Sequence, residues 1–396
     1  MLRVEAGYRA ELQPSPAVLD RGAILRGMST HLTWVETDLD AIRNNTRRLM
    51  ALAGVGLMAV VKANAYGHGA VEVSQAAAEA GAAWLGVARA HEGLELRAAG
   101  LGLPILVLGY TPPAEAAAAI GRDLTLTVFD ADAASAYAAV GRALGRPARV
   151  HVKLDSGMGR LGVLPAAALD FVCALSGLEG LKVDGLFTHF AGSDLADQSG
   201  TRAQIAVLDA VLAALGAAGL RPACVHAANS AGALRQPRAH LDLVRSGIAL
   251  YGLDPSDDVP CPLNFRPALT WKARVAQVKT LPPGHGVSYG PEYVTQATET
   301  VAVLPVGYAD GFRRVPKNVN EVLVGGRRAP VRGRVCMDQC VVGISHVPGV
   351  RAGDEVVLIG RQGDQTLRAE DVARRWGTIN YDVTSGIMDR VPREFG

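Results

Sequence analysis

From about residue 39 to 251 the chain alternates short apolar runs with longer Ala-rich segments whose apolar positions recur at helical spacing. Apolar runs without polar alternation mark strands covered on both faces, which in a repeated β-α pattern means a parallel sheet. Strands are predicted over 56–61, 83–87, 105–108, 124–128, 149–154, 186–188 and 224–226, with an eighth over 243–248. Helices are predicted between them, for example over 69–80, 114–120, 131–144 and 201–215. Eight such units predict an α/β fold of the (β/α)8 TIM-barrel type. A doubly wound open sheet remains an alternative, because periodicity does not say whether a sheet closes.

Beyond a Pro-rich stretch ending at Pro267 the helical period almost vanishes. Short strands are predicted over 271–280, 300–305, 320–324, 331–335 and 355–359, and one helix over 367–376 with Thr366 at its N-cap. The expected organisation is a barrel over 31–265 followed by a C-terminal mostly β domain over 266–396. Residues 1–30 mix charge, Pro and Gly without a sustained apolar stretch and are expected to form a disordered extension, with Met28 as an alternative start.

Composition narrows the function classes. Hydrophobic residues make up 49% and charged residues 20%, a globular balance. The net charge of +2, with no basic run, gives no electrostatic case for nucleic acid. Cys173, Cys224, Cys261, Cys336 and Cys340 lack structural-zinc spacing, so no metal is expected and reduced thiols in a cytoplasmic protein are. No secretory segment is seen, and no window approaches the roughly 20 unbroken apolar residues of a membrane span.

Candidate chemistry begins at Lys62, which ends the apolar run Leu57-Met58-Ala59-Val60-Val61. An amine held against an apolar wall loses hydration, its pKa falls, and the neutral form can attack a carbonyl to form a Schiff base. A strand-end lysine also commonly keeps its charge in water on a flexible stem. Lys153 and Arg160 bracket a Gly-rich turn after another strand, and His189 closes the next. Asn229 and Ser230 stand at a helix entrance, which suits an anion or simply needs a cap. Arg245, Gly247 and Ile248 follow the last strand, where barrels often bind phosphate, although Arg245 alone reads more readily as a salt-bridge residue.

The segment Ala59-Val60-Val61-Lys62-Ala63-Asn64-Ala65-Tyr66-Gly67-His68-Gly69 closely resembles the cofactor-lysine segment of alanine racemases, which use pyridoxal 5'-phosphate (PLP) on a barrel. The resemblance runs from about Thr33 onward, with several motifs in the family's order. It implies that Lys62 tethers PLP and that Tyr66, Asn229, Ser230, Gly247, Ile248 and Tyr381 surround its phosphate. It implies Arg160 at the phenolic oxygen and substrate carboxylate, held by Lys153, whose family counterpart is often carbamylated. It places His189 against the ring and Arg245 beside the ring nitrogen, where an arginine, unlike a carboxylate, weakens the ring as an electron sink.

By the same resemblance Tyr289 is the second proton-transfer base opposite Lys62 and reaches the cofactor of a neighbouring subunit, making a homodimer with shared sites. The backbone at Met337 binds the substrate carboxylate, and Arg334 and Asp338 line the entrance. The implied activity is interconversion of L- and D-alanine, supplying D-alanine for peptidoglycan, and retention of Tyr381 favours alanine over larger substrates. Rival readings are a broader amino-acid racemase, a decarboxylase on the same barrel, which Arg245 opposes, and a non-catalytic PLP-binding protein, which the β domain opposes. The last residues, 383–389 especially, follow the family pattern only loosely.

Overall fold

The first strand, β1 (Thr33–Thr37), bypasses the barrel and joins the sheet built mainly by the C-terminal part of the chain. The barrel consists of the next eight strands, β2 (Gly56–Val60), β3 (Trp84–Val87), β4 (Ile105–Val107), β5 (Leu124–Val128), β6 (Ala148–Lys153), β7 (Leu181–Phe187), β8 (Cys224–His226) and β9 (Leu243–Ser246). This computed structural model describes residues 30–290 and 292–396; the expected extension before residue 30 and Met28 lie outside them. Residues 32–396 form one compact unit.

Strands β2 to β8 pair in parallel with their sequence neighbours, and β9 pairs in parallel with β2. Between β8 and β9 the circle is completed by Asp242 N donating to Val225 O at 3.1 Å and Arg245 N donating to Ala228 O at 3.0 Å. The sheet therefore closes, which the sequence pattern left open. Along β2 the side chains alternate as a pleat requires: Met58 joins an interior layer with Leu106, Phe187 and Leu243, whereas Leu57 and Ala59 pack outward into the main core. Interior His226 stacks on Phe187, with centroids 4.9 Å apart.

Local signals explain the outer helices. Leu39–Ala53 starts where Asp38 accepts from Ala41 N at 2.7 Å and stops where Gly54 turns left-handed at φ 69°. Its buried face includes Ile42 and Leu49, each worth roughly 1.5–3 kcal/mol of burial. Ser199–Ala217 is long and apolar enough by composition to cross a membrane. Here it buries Thr201, Gln204, Ile205, Leu208, Val211 and Leu215 along one stripe, as an outer barrel helix does.

The C-terminal sheet runs Gln277–Leu281, Glu299–Leu304, Cys340–Gly343, Arg327–Arg332, Glu321–Val324, Glu355–Gln362, then β10 (Leu269–Arg274), β1 and Arg393–Phe395. Two expectations are corrected. The strand predicted over 271–280 breaks at Val275, so that its halves pair with different partners. The helix predicted from 367 begins at Ala369 with Arg368 at its N-cap, because Asp371 accepts from Arg368 N at 2.9 Å, while Thr366 belongs to strand Gln365–Leu367.

Candidate active site

Lys62 emerges at the mouth of the barrel two residues after β2, and the chain then does something rare. Ala63, Asn64, Ala65 and Tyr66 all have positive φ, between 51° and 54°, forming one left-handed turn. Each costs an L-residue about 1–2 kcal/mol, so the turn persists only where its surroundings impose it. Glu92 is one such constraint: one carboxylate oxygen accepts from Ala63 N at 2.6 Å and the other from Ala88 N and Arg89 N at 2.7 and 2.9 Å. Burial and the nearby Arg160 charge lower the pKa of Lys62, against a smaller opposing pull from Glu92.

Deeper in the barrel Arg245 is held by main-chain carbonyls and imidazoles. Its Nη2 donates to Thr188 O and Ala227 O, both at 2.9 Å, and lies 3.3 Å from His189 Nδ1, while Nη1 lies 2.9 Å from His226 Nδ1. A guanidinium only donates, so His226 Nδ1 accepts and its proton sits on Nε2, which points at His151 Nδ1 at 2.9 Å. Burial first, then Arg245, holds His226 and His189 neutral, well below the ordinary histidine range. Burial brings Arg245 down to about 9, which still leaves it cationic at neutral pH. Cys224 lies close enough to His151 and His226 to complete a metal triad, but His151 Nδ1 and His226 Nε2 are bonded to each other and His226 Nδ1 accepts from Arg245.

Lys153 stands 4.2 Å above the Phe187 ring, and burial with the Arg245 and Arg160 charges drives its pKa far down. Arg160 is held at the mouth by a turn in which Asp155 Oδ1 accepts from the amides of Gly157, Met158 and Gly159. Two cationic arginines and two desolvated lysines thus share one cavity of about 410 Å³. Such a site favours an anionic ligand and an uncharged amine at Lys62.

The other end of the cavity is a polar cradle. Asn229 caps helix Ser230–Arg235, accepting from Gly232 N at 2.9 Å, so the cap is Asn229 and Ser230 is left to turn elsewhere. Ser230 Oγ accepts from Gly247 N at 3.0 Å. A Cβ on Gly247 would lie 2.4 Å from Tyr66 Oη, so only glycine lets the tyrosine approach this backbone. Tyr66 is wedged between Tyr251 and Tyr381, with centroids 5.1 and 6.0 Å away. Burial raises the pKa of both Tyr66 and Tyr381, keeping their hydroxyls as donors.

One cavity therefore gathers Lys62, Tyr66, Lys153, Arg160, His189, Asn229, Ser230, Arg245, Gly247, Ile248 and Tyr381. It does not include Tyr289 or Met337. Those two line a separate surface cavity of about 460 Å³ with Ser288, Cys336, Asp338 and Gln339. Tyr289 is 64% exposed and Met337 53%. Arg334 pairs with Glu292, and Asp338 with Arg390 at 2.7 Å. Glu92, His151 and Tyr251, whose hydroxyl donates to Val60 O at 2.8 Å, support the site without having been singled out from sequence.

The cavity fits PLP. A desolvated amine suits an aldehyde, the Gly247 and Ser230 cradle with buried tyrosine donors suits a phosphate, and Arg245 suits an aromatic nitrogen that needs a donor. Residues 37–255 match the family model described as alanine racemase, N-terminal domain, and residues 268–395 that described as alanine racemase, C-terminal domain. The chain is 51% identical over 365 residues to an alanine racemase of Symbiobacterium thermophilum, covering 92% of this chain and 97% of that protein. An alanine racemase of Desulfovibrio desulfuricans is 47% identical, covering 91% and 97%. Among solved structures, an alanine racemase of Clostridium difficile 630 superposes with a TM-score of 0.88 at 40% identity, covering 93% of this chain and 97% of that one. The alanine racemase of Bacillus anthracis with bound L-Ala-P also gives 0.88 at 40% identity, covering 93% and 96%. The chain belongs to the alanine racemase family of PLP-dependent isomerases.

Proposed function

We propose that racemisation of alanine, the reaction of this family, is carried out here by two bases drawn from two copies of the chain. Lys62 of one copy would face one side of the substrate α-carbon and Tyr289 of the second copy the other. The observation that carries this reading is the separation of the two groups: Lys62 lines the barrel cavity, while Tyr289 is exposed in a different one. A head-to-tail homodimer would bring them together and cover the Tyr289 surface.

PLP, when bound, withdraws electrons from the amino acid attached to it and so acidifies the bond to the α-hydrogen. In this reading Lys62 holds the cofactor and later serves as one base, its uncharged form favoured by burial and Arg160. Tyr66, Asn229, Ser230, Tyr381 and the amides of Gly247 and Ile248 would hold the phosphate. Arg160, steadied by Lys153 or its carbamate, and the backbone at Met337 would bind the substrate carboxylate, with His189 against the ring and Arg334 and Asp338 at the entrance. Arg245 would face the ring nitrogen as an obligate donor and leave that nitrogen unprotonated, which would weaken the ring as an electron sink.

The reading also takes residues 1–30 as an extension, 31–265 as the cofactor barrel and 266–396 as the partner-facing β domain. Five free thiols support a cytoplasmic setting, and D-alanine from this reaction would serve peptidoglycan. Retained Tyr381 supports alanine as the substrate, because its ring occupies space that a larger side chain would need. The experiment is to incubate the holoenzyme with L-alanine in deuterated water. Deuterium at Cα of both enantiomers is expected; D-alanine formed without exchange, or neither product, would remove the two-base reading.

A further inference from the structure

The turn that carries Lys62 is gripped by the other end of the chain. Arg393 Nε donates to Gly67 O at 3.0 Å, and its other nitrogens donate to the carbonyls of Ile387, Met388 and Val391 at 2.6–2.8 Å. Each of these bonds ends on a main-chain oxygen, and together they tie the tail to the turn. The backbone of helix Asn380–Ser385 also touches it, since a Cβ on Gly67 would lie 2.1 Å from Thr384 O. The Phe395 ring covers Gly69, whose Cβ would lie 2.6 Å from it.

The tail itself is anchored. Strand Arg393–Phe395 pairs in parallel with β1, Gly396 N donates to Thr37 O at 3.1 Å, and Thr37 Oγ1 donates to His68 O at 2.8 Å. Behind the turn lies an open cavity of about 440 Å³, bounded by Asn64, Ala70, Glu92, Glu95, Asp389 and Arg393. The left-handed backbone is held by Glu92, by His68 Nδ1 at 3.0 and 3.1 Å from the carbonyls of Ala65 and Tyr66, by Asn64 Oδ1 accepting from Ala70 N, and by the tail.

We propose that the C-terminal tail is a latch, in which Arg393 and Phe395 are positioning residues that hold the left-handed turn and so aim Lys62 and Tyr66 at the cofactor. The proposal rests on the reading of Lys62 as the cofactor lysine. It gives a role to a tail that lies more than three hundred residues away in sequence from the turn it holds.

The test uses the full chain, stripped of cofactor and titrated with PLP while the cofactor absorbance is followed. Arg393→Ala and Phe395→Ala should each weaken PLP binding by about tenfold, with the apo-protein melting close to the parent and Phe395→Leu recovering most of the affinity. A merely structural role would lower the apo melting temperature and leave the affinity of the folded protein unchanged. Losses above about threefold in the folded variants support the latch, and smaller ones overturn it. If Arg393→Ala does not fold, Arg393→Lys and Phe395→Ala decide by the same threshold. Lys62→Ala, run in parallel, separates the two ideas: retention of the parent's absorbance and affinity removes the cofactor-lysine reading. Loss of the covalent band there, with parent-like binding in the tail variants, removes the latch alone.

Discussion

Arg245 presents Nη1 to His226 Nδ1 at 2.9 Å, and this single contact fixes the protonation of a buried chain of groups. Because the guanidinium cannot accept, His226 passes its own proton toward His151, and both imidazoles stay neutral beneath the cation. His226→Leu should leave a fully buried guanidinium donor without a partner. We expect a loss of about 1–3 kcal/mol of stability, read as a lower urea midpoint with unchanged slope. An unchanged midpoint would mean that the Arg245 contact does not stabilise the barrel interior.

Stability should fall on the acid side of neutrality. Burial holds His68 down to about 4 and His151 down to about 3, both from an ordinary 6.5. The unfolded chain takes up these protons as the pH drops through about 6.5, while the folded chain refuses them until about 3–4, so protonation favours unfolding in that window. Each histidine should cost roughly 2 kcal/mol by pH 5 relative to pH 7. Thermal melts across this range should show the decline, and His68→Gln should make it shallower. An identical slope in the variant would contradict the buried neutral state of His68.

Gly247→Ala tests the cradle. The new methyl would meet Tyr66 Oη at 2.4 Å and push the ring from its place between Tyr251 and Tyr381. Gly247 lies at φ −104° and ψ −89°, just outside the α region open to alanine, so some backbone strain accompanies the contact and the melt of the apo variant is recorded alongside. PLP affinity should drop by about tenfold or more in an absorbance titration. Parent-like binding would show that Tyr66 does not need its observed position.

Tyr381→Ala should widen the chamber at the end where Tyr381 meets Tyr66. Activity on alanine should fall, and relative activity on larger amino acids, serine first, should rise in a panel of racemase assays. An unchanged preference would remove Tyr381 as a determinant of size.

Much of the fold is legible in the sequence wherever the signal is local. Strands β5 and β8 can be read to the residue from their short, buried, largely apolar runs. Membership of a sheet is not local, and no strand is predicted over 33–37, where β1 pairs with β10 and Arg393–Phe395. The break at Val275 is hidden for the same reason, since both halves carry strand-like residues. At the site, the barrel-mouth residues are identified by motif and lie in one cavity. The left-handed turn is not legible: Ala63, Asn64, Ala65 and Tyr66 contain no glycine to announce it, and two of its supports, Glu92 and Arg393, lie far along the chain.

The central claim, that each site takes Lys62 from one copy and Tyr289 from another, is tested most directly by mixing two inactive proteins. Lys62→Ala and Tyr289→Phe should each have little activity alone. When the two are co-expressed, half of the dimers are hybrids, and each hybrid holds one site with both native bases. Activity should recover to about a quarter of the parent's per subunit. Recovery to that level is the expected result; a mixture no more active than the two variants measured separately would contradict the shared site.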